Sequence, residues 1–225
     1  NSAVTDIFRN EYLSPRSPYT TLQIPKQGIG EWCHPLHTVD IDDSGLRSSV
    51  QKGVLNTKLG VPFRTPAEGQ NIAFTSLWDN YPDSLTVSLK GKASRVYLLM
   101  AGSTNHMQCH IDNGLIRVYY KDGTCDKMAL RNPDNWAPIE HIFFEDDLAF
   151  NRHAPALYRL RLKTGEISNN FGEELGFPGA SRELDGGAAI LLEMPLNPDK
   201  KLSHLVLETL SNDVVIGLMG ITLQR

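Results

Sequence analysis

Two segments place aromatic rings beside carboxylates and amides: Trp78-Asp79-Asn80-Tyr81 and Asn132-Pro133-Asp134-Asn135-Trp136. That combination suits carbohydrate. A flat apolar ring covers the axial C–H face of a sugar, and neighbouring Asp and Asn groups bind its hydroxyls. The Pro and Asn content puts both segments in loops. Trp78, Tyr81 and Trp136 are therefore the candidate stacking residues, with Asp79, Asn80, Asn105 and Asn135 as hydrogen-bonding partners. Asn105 and His106 end the run Ser103-Thr104-Asn105-His106, which follows the strongest apolar stretch of the chain, where side chains are well placed to reach a ligand. Each feature has a competing reading. A tryptophan can plug the end of a core or pack on a neighbouring domain, and Ser, Thr and Asn satisfy backbone groups in turns. The carbohydrate site also requires that its loops meet at one end of the domain.

Other clusters point to metal or acid chemistry. His106 and His110 are four apart and His34 and His37 three apart. Four apart makes one metal face on a helix, but the pattern around His110 is strand-like, where that spacing is too long for one ion. With no matching acidic ligand in view, zinc is not the preferred reading. Asp40, Asp42 and Ser44, followed by Gly45, resemble the start of a calcium loop, but Gln51 stands where the bidentate Glu belongs. A solvated acidic turn is the preferred reading, with structural calcium as the alternative and no other cofactor expected. Glu140, Glu145, Asp146 and Asp147 form the densest acidic region. A glycosidase needs two carboxylates across its scissile bond, but a solvated loop explains these acids as well. No nucleophile elbow, phosphate loop, dinucleotide fingerprint or His-Glu-x-x-His is present.

These residues must be positioned by strands. Residues 85–89, 93–101, 115–120, 127–131, 188–194, 204–209 and 214–223 read as strands by alternation or by short apolar runs. Asp122-Gly123 marks a hairpin, with positive φ tolerated at both central positions. Residues 158–163 alternate cleanly, with Tyr158, Leu160 and Leu162 on one face and Arg159, Arg161 and Lys163 on the other. Gly217 and Gly220 interrupt the last strand and predict bulges or close backbone contacts. Residues 1–23 read as a polar N-terminal arm or linker, with one short helical turn near residues 6–12. Residues 24–225 read as one β-sandwich domain, its first part to residue 70 being loops with short strands between them.

Composition narrows the function classes. The chain has 225 residues, 40% hydrophobic and 21% charged, as in an ordinary soluble domain. A net charge of -4 argues against a nucleic-acid partner. No apolar run approaches a membrane span. Cys33, Cys109 and Cys125 are odd in number and lack a Cys-x-x-Cys spacing, so isolated thiols are expected rather than a disulfide framework. Cys109 and Cys125 are the natural pair if one forms, because both flank the strand at 116–120. The start carries no signal peptide, and Asn1 is not an initiator, so a processed chain or a piece of a longer protein is expected.

The segments GKASRVYLLMAGSTNH (91–106), VYYKDGT (118–124), NPDNWAPIEHIFFEDDLAF (132–150), DGGAAILLEMPLNPDKKL (185–202) and NDVVIGLMGITL (212–223) follow one another in a distinctive order. They resemble a Bacteroidetes-type domain of unknown function found at the C-terminal end of glycosyl-hydrolase-like proteins, and are similar to galactose-binding-like jelly rolls of bacterial glycosidases. The resemblance covers residue 53 to the C-terminus. It implies an all-β sandwich of jelly-roll type, secreted or periplasmic, that is not itself an enzyme. The implied role is a carbohydrate-binding or accessory domain whose partners are a polysaccharide or oligosaccharide and a neighbouring catalytic domain of the same parent chain. A purely structural domain packed on that neighbour is the alternative, and a glycosidase in its own right the third reading.

Overall fold

A strand that is apolar on both faces needs cover on both sides, and β7 (Arg95–Thr104) receives it. Val96, Leu98 and Met100 point into one core, and Tyr97, Leu99 and Ala101 into another. The computed structural model describes residues 17–22, 40–77, 81–104, 108–142, 151–171 and 183–225. In chain order the other elements are β1 (Tyr19–Thr20), α1 (Ser44–Ser48), β2 (Val50–Gln51), β3 (Val54–Asn56), β4 (Pro62–Arg64), β5 (Ile72–Ser76) and β6 (Ser84–Ser88), then β8 (Asp112–Tyr120), β9 (Cys125–Arg131), β10 (Tyr158–Arg161), β11 (Ile167–Ser168), β12 (Ala188–Pro195), β13 (Leu202–Thr209) and β14 (Val214–Gln224).

Among the described residues these strands form a large sheet in the order β1-β5-β14-β7-β12-β10-β11, a smaller one in the order β6-β13-β8-β9, and a three-stranded sheet β2-β3-β4. Their pairings are antiparallel. The chain is an all-β sandwich. The first core lies between the large and small sheets, where Leu98, Met100, Ile190 and Ile216 meet Ile116, Val118, Leu205 and Leu207. Burying each such side chain contributes about 1.5–3 kcal/mol. The second core lies on the outer face of the large sheet, where Leu46 of α1, Leu55 of β3 and Phe63 of β4 cover Leu99, Leu160 and Val215. This second layer is why residues 40–70, which read as loops with short strands, are held in place.

β14 carries the expected irregularity. Its pairing with β7 slips between Leu218 and Gly220, and a Cβ at Gly220 would stand 3.1 Å from the Phe63 ring. Gly217 approaches its neighbours even more closely, since a Cβ there would lie 2.5 Å from the Ala101 carbonyl oxygen. Within the arm, Tyr19 and Thr20 pair with β5 at the edge of the large sheet, and Leu22 is buried. The helical turn expected near residues 6–12 lies outside the described residues.

Three details depart from expectation. Only Gly123 takes a positive φ in the β8–β9 hairpin, so the turn is not the two-residue type in which both central residues do. Asp122 instead accepts hydrogen bonds from the Thr124 backbone N–H and hydroxyl and pairs with Lys200. The second departure is in β10, where burial does not follow the alternation: Tyr158, on the apolar side, is exposed. Arg159 is buried, and its guanidinium donates to the carbonyls of Pro138, Ile139, His141 and Ala188. The third is α1, one helical turn in a stretch that reads as loops with short strands.

Candidate functional site

The strand ends that flank the predicted site residues share one end of the sandwich. In the large sheet β5 ends at Ser76 beside the start of β14, and β7 ends at Thr104 opposite Val214. In the small sheet Asp112 at the start of β8 pairs with Arg131 at the end of β9, and the end of β13 pairs with the starts of β6 and β8. Buried side chains lock the two sheets at this end. Thr75 and Thr209 hydroxyls lie 2.8 Å apart, and the Thr104 hydroxyl donates to Asn113 Oδ1 at 2.7 Å. Asn113 Nδ2 in turn donates to the carbonyls of Gln108 and Ile111, which shapes the loop leading into β8. Ser103 and Thr104 are strand residues rather than turn residues: both are buried at the end of β7, and the Thr104 hydroxyl meets a side chain rather than a backbone group.

Burial revises the stacking residues. Trp136 is 0% exposed and sits in the core between the sheets, against the face of β7 where Gly102 leaves room. A Cβ at Gly102 would stand 2.9 Å from the Trp136 ring and 2.0 Å from the Val215 carbonyl oxygen. Trp136 has no open face for a sugar; it plugs the end of the core, because the largest apolar surface in its loop gains most from burial. Tyr81 is also buried, packed on Phe74 with ring centroids 5.5 Å apart. The Asn135 amide is committed to its own turn: Oδ1 accepts the Arg131 N–H at 2.7 Å and Nδ2 donates to the Ala129 carbonyl at 2.8 Å. Trp78, Asp79, Asn80, Asn105 and His106 lie outside the described residues, as do Trp32, Cys33, His34, His37, Glu145, Asp146 and Asp147.

The remaining predicted sites resolve as follows. Asp42 Oδ1 accepts the Ser44 backbone N–H at 3.0 Å, which starts α1. Hydrogen bonding from Ser44 holds the Asp42 carboxyl below its usual range. Gly45 makes a close backbone contact, since a Cβ there would lie 2.3 Å from the Lys163 carbonyl oxygen. The carboxylates of Asp40 and Asp42 join no group of three metal-ligating side chains among the described residues. Glu140 is buried rather than open to solvent, and its charge acts on Arg159. Burial pushes the Arg159 guanidinium down to about 10, and the Glu140 charge opposes that shift. No disulfide joins Cys109 and Cys125.

What the loop end does assemble is a His–Asp–His cluster. His110, Asp134 and His153 come from three separate segments, and their ligating atoms lie within 4.8 Å of one another. The His110 N–H donates to the Asn132 carbonyl at 2.7 Å, and this contact holds His110 at a φ of 56°. The His153 N–H donates to Asp134 Oδ1 at 2.7 Å. Asp134 itself is placed by the turn that Asn135 braces. The reading of His110 by spacing paired it with His106; the acidic ligand and second imidazole arrive from Asp134 and His153, which no local spacing connects. Apolar groups surround the same end, where Leu77, Ile111 and Leu210 are exposed at 44%, 48% and 40%. No family, curated protein or solved structure matches this chain.

Proposed function

We propose that this chain is a non-catalytic carbohydrate-binding or accessory domain of a secreted or periplasmic glycoside-hydrolase-like protein, and that it takes its ligand at the loop end of the sandwich. The observation that supports this is convergence: the strand ends flanking residues 78–80, 105–107 and 132–136 all lie at that end. With Trp136 and Tyr81 inside the protein, Trp78 is the stacking plate of this reading. Asp79, Asn80 and Asn105 supply its hydrogen bonds to hydroxyls. A shallow site of this kind binds weakly alone and gains by avidity in a longer chain.

Titration of the purified domain with a panel of plant, host and microbial polysaccharides tests the proposal. One glycan class is expected to bind, and Trp78→Ala to weaken it at least tenfold by loss of the stacking contact, worth about 1.4 kcal/mol or more. Absence of binding, or binding unchanged in Trp78→Ala, overturns it.

The exposed Leu77, Ile111 and Leu210 favour a second reading, in which this end packs on a neighbouring catalytic domain of the parent chain. That reading expects the isolated domain to self-associate, and Leu77→Asp with Leu210→Asp to restore a monomer in light scattering. A domain that is monomeric without these changes removes it.

A further inference from the structure

We propose that His110, Asp134 and His153 form a binding site for a divalent transition-metal ion, zinc being the best match. The argument rests on separations that hydrogen bonding does not account for. His110 Nδ1 lies 3.9 Å from Asp134 Oδ2, and His153 Nδ1 lies 3.7 Å from Asp134 Oδ1. Direct N–H···O bonds close to about 2.7–3.2 Å, so neither imidazole is hydrogen-bonded to the carboxylate. Ligand atoms about 2.0–2.1 Å from a tetrahedral zinc stand about 3.3 Å from one another. The two His–Asp gaps exceed that edge by about half an ångström and the three ligand atoms span up to 4.8 Å, so an ion must draw the His153 ring inward, and its side chain is 68% accessible. The two rings already lie close together, tilted by 47° with centroids 4.8 Å apart.

The donor set selects the class of ion. Two imidazoles and one carboxylate suit zinc and its neighbours in the first transition row, whereas calcium takes six or more oxygens. Three protein ligands leave a tetrahedral position for water or a ligand oxygen. The backbone bonds from His110 to Asn132 and from His153 to Asp134, and the Asn135-braced turn, hold the three backbones in place before any ion arrives. Positive φ at His110 is a sparsely populated conformation, retained here at the residue whose side chain joins the cluster. The site does not depend on whether a sugar binds nearby.

The test is calorimetric titration of the tag-free, chelator-treated protein with zinc chloride, with calcium chloride in parallel. One zinc ion per chain is expected and no calcium. His153→Ala, a change at an exposed side chain, should weaken zinc at least about tenfold, as should Asp134→Asn. His204→Ala, on the remote β13, should leave it unchanged. Cobalt loaded in place of zinc should show visible d–d bands in the wild type that His153→Ala abolishes. No zinc binding, or zinc binding that survives both His153→Ala and Asp134→Asn, overturns the proposal.

Discussion

At the scale of single residues, Arg159 is the side chain whose role is most at odds with its type. It is a buried cation that gathers four backbone carbonyls from the segment 138–141 and β12, with Glu140 as its counter-charge. Removing Arg159 leaves those buried carbonyls without their donor. Arg159→Ala should therefore cost about 3 kcal/mol or more, read as a shift of the urea midpoint. Arg159→Lys should recover little, because an ammonium lacks the planar fork that reaches several carbonyls at once. An unchanged midpoint in Arg159→Ala would mean that the carbonyls find water instead. Trp136 teaches the same caution about residue type. Trp136→Ala should cost about 3–5 kcal/mol as a core deletion, so loss of ligand binding in that variant would report unfolding rather than stacking, and the urea midpoint of the variant separates the two.

At the scale of elements, the contact between β7 and β14 is the tightest constraint. Gly102 lets the Trp136 ring and the Val215 carbonyl approach the β7 backbone, and neither has room to retreat. Gly102→Ala should destabilise by about 3 kcal/mol, at the upper end for an overpacked core, measured by urea denaturation. Gly123→Ala tests a different property. A Cβ there meets nothing, but φ is 85°, so its cost should be confined to backbone strain of about 1–2 kcal/mol. If the two substitutions cost the same, steric crowding is not what Gly102 relieves.

At the scale of the whole molecule, stability should vary with pH through groups at the end of the sandwich opposite the candidate site. Hydrogen bonds from Thr124 and Lys200 hold the Asp122 carboxyl down to about 2, from an ordinary 3.8. A depressed carboxylate stabilises the fold above its unfolded value, and that contribution disappears as pH falls from 3.8 towards 2. Tyr120 is the opposite case. Burial, with donation of its hydroxyl to Asp126, pushes it up to about 12 from 10.0. Its contribution is complete below pH 10 and is lost as pH rises through 12. Urea midpoints across pH should thus fall at both limits. Asp122→Asn should flatten the acid limb and Tyr120→Phe the alkaline limb; an alkaline limb that stays steep in Tyr120→Phe would assign it to another group.

The strands were legible because their signals are local. Alternation and short apolar runs placed β6, β7, β8, β9, β10, β12, β13 and β14 to within a few residues, since each pattern depends only on the period of the pleat. Glycines at 217 and 220 announced the bulge and close contact for the same reason: a missing Cβ is a property of the residue itself. β1 to β4 and α1 are too short to carry a periodic signal and are held by the second core. The site was beyond local reading. Whether Trp136 faces water or Ile216, whether Arg159 finds solvent or carbonyls, and whether His110 meets Asp134 and His153 depend on which strand ends become neighbours. Sheet order decides that, and sheet order is set by burial summed over the whole chain. By itself the amino-acid sequence determined an all-β chain and its strands; the tertiary structure alone decided which of its polar and aromatic residues share one end, because contacts between distant segments exist only once both cores have formed.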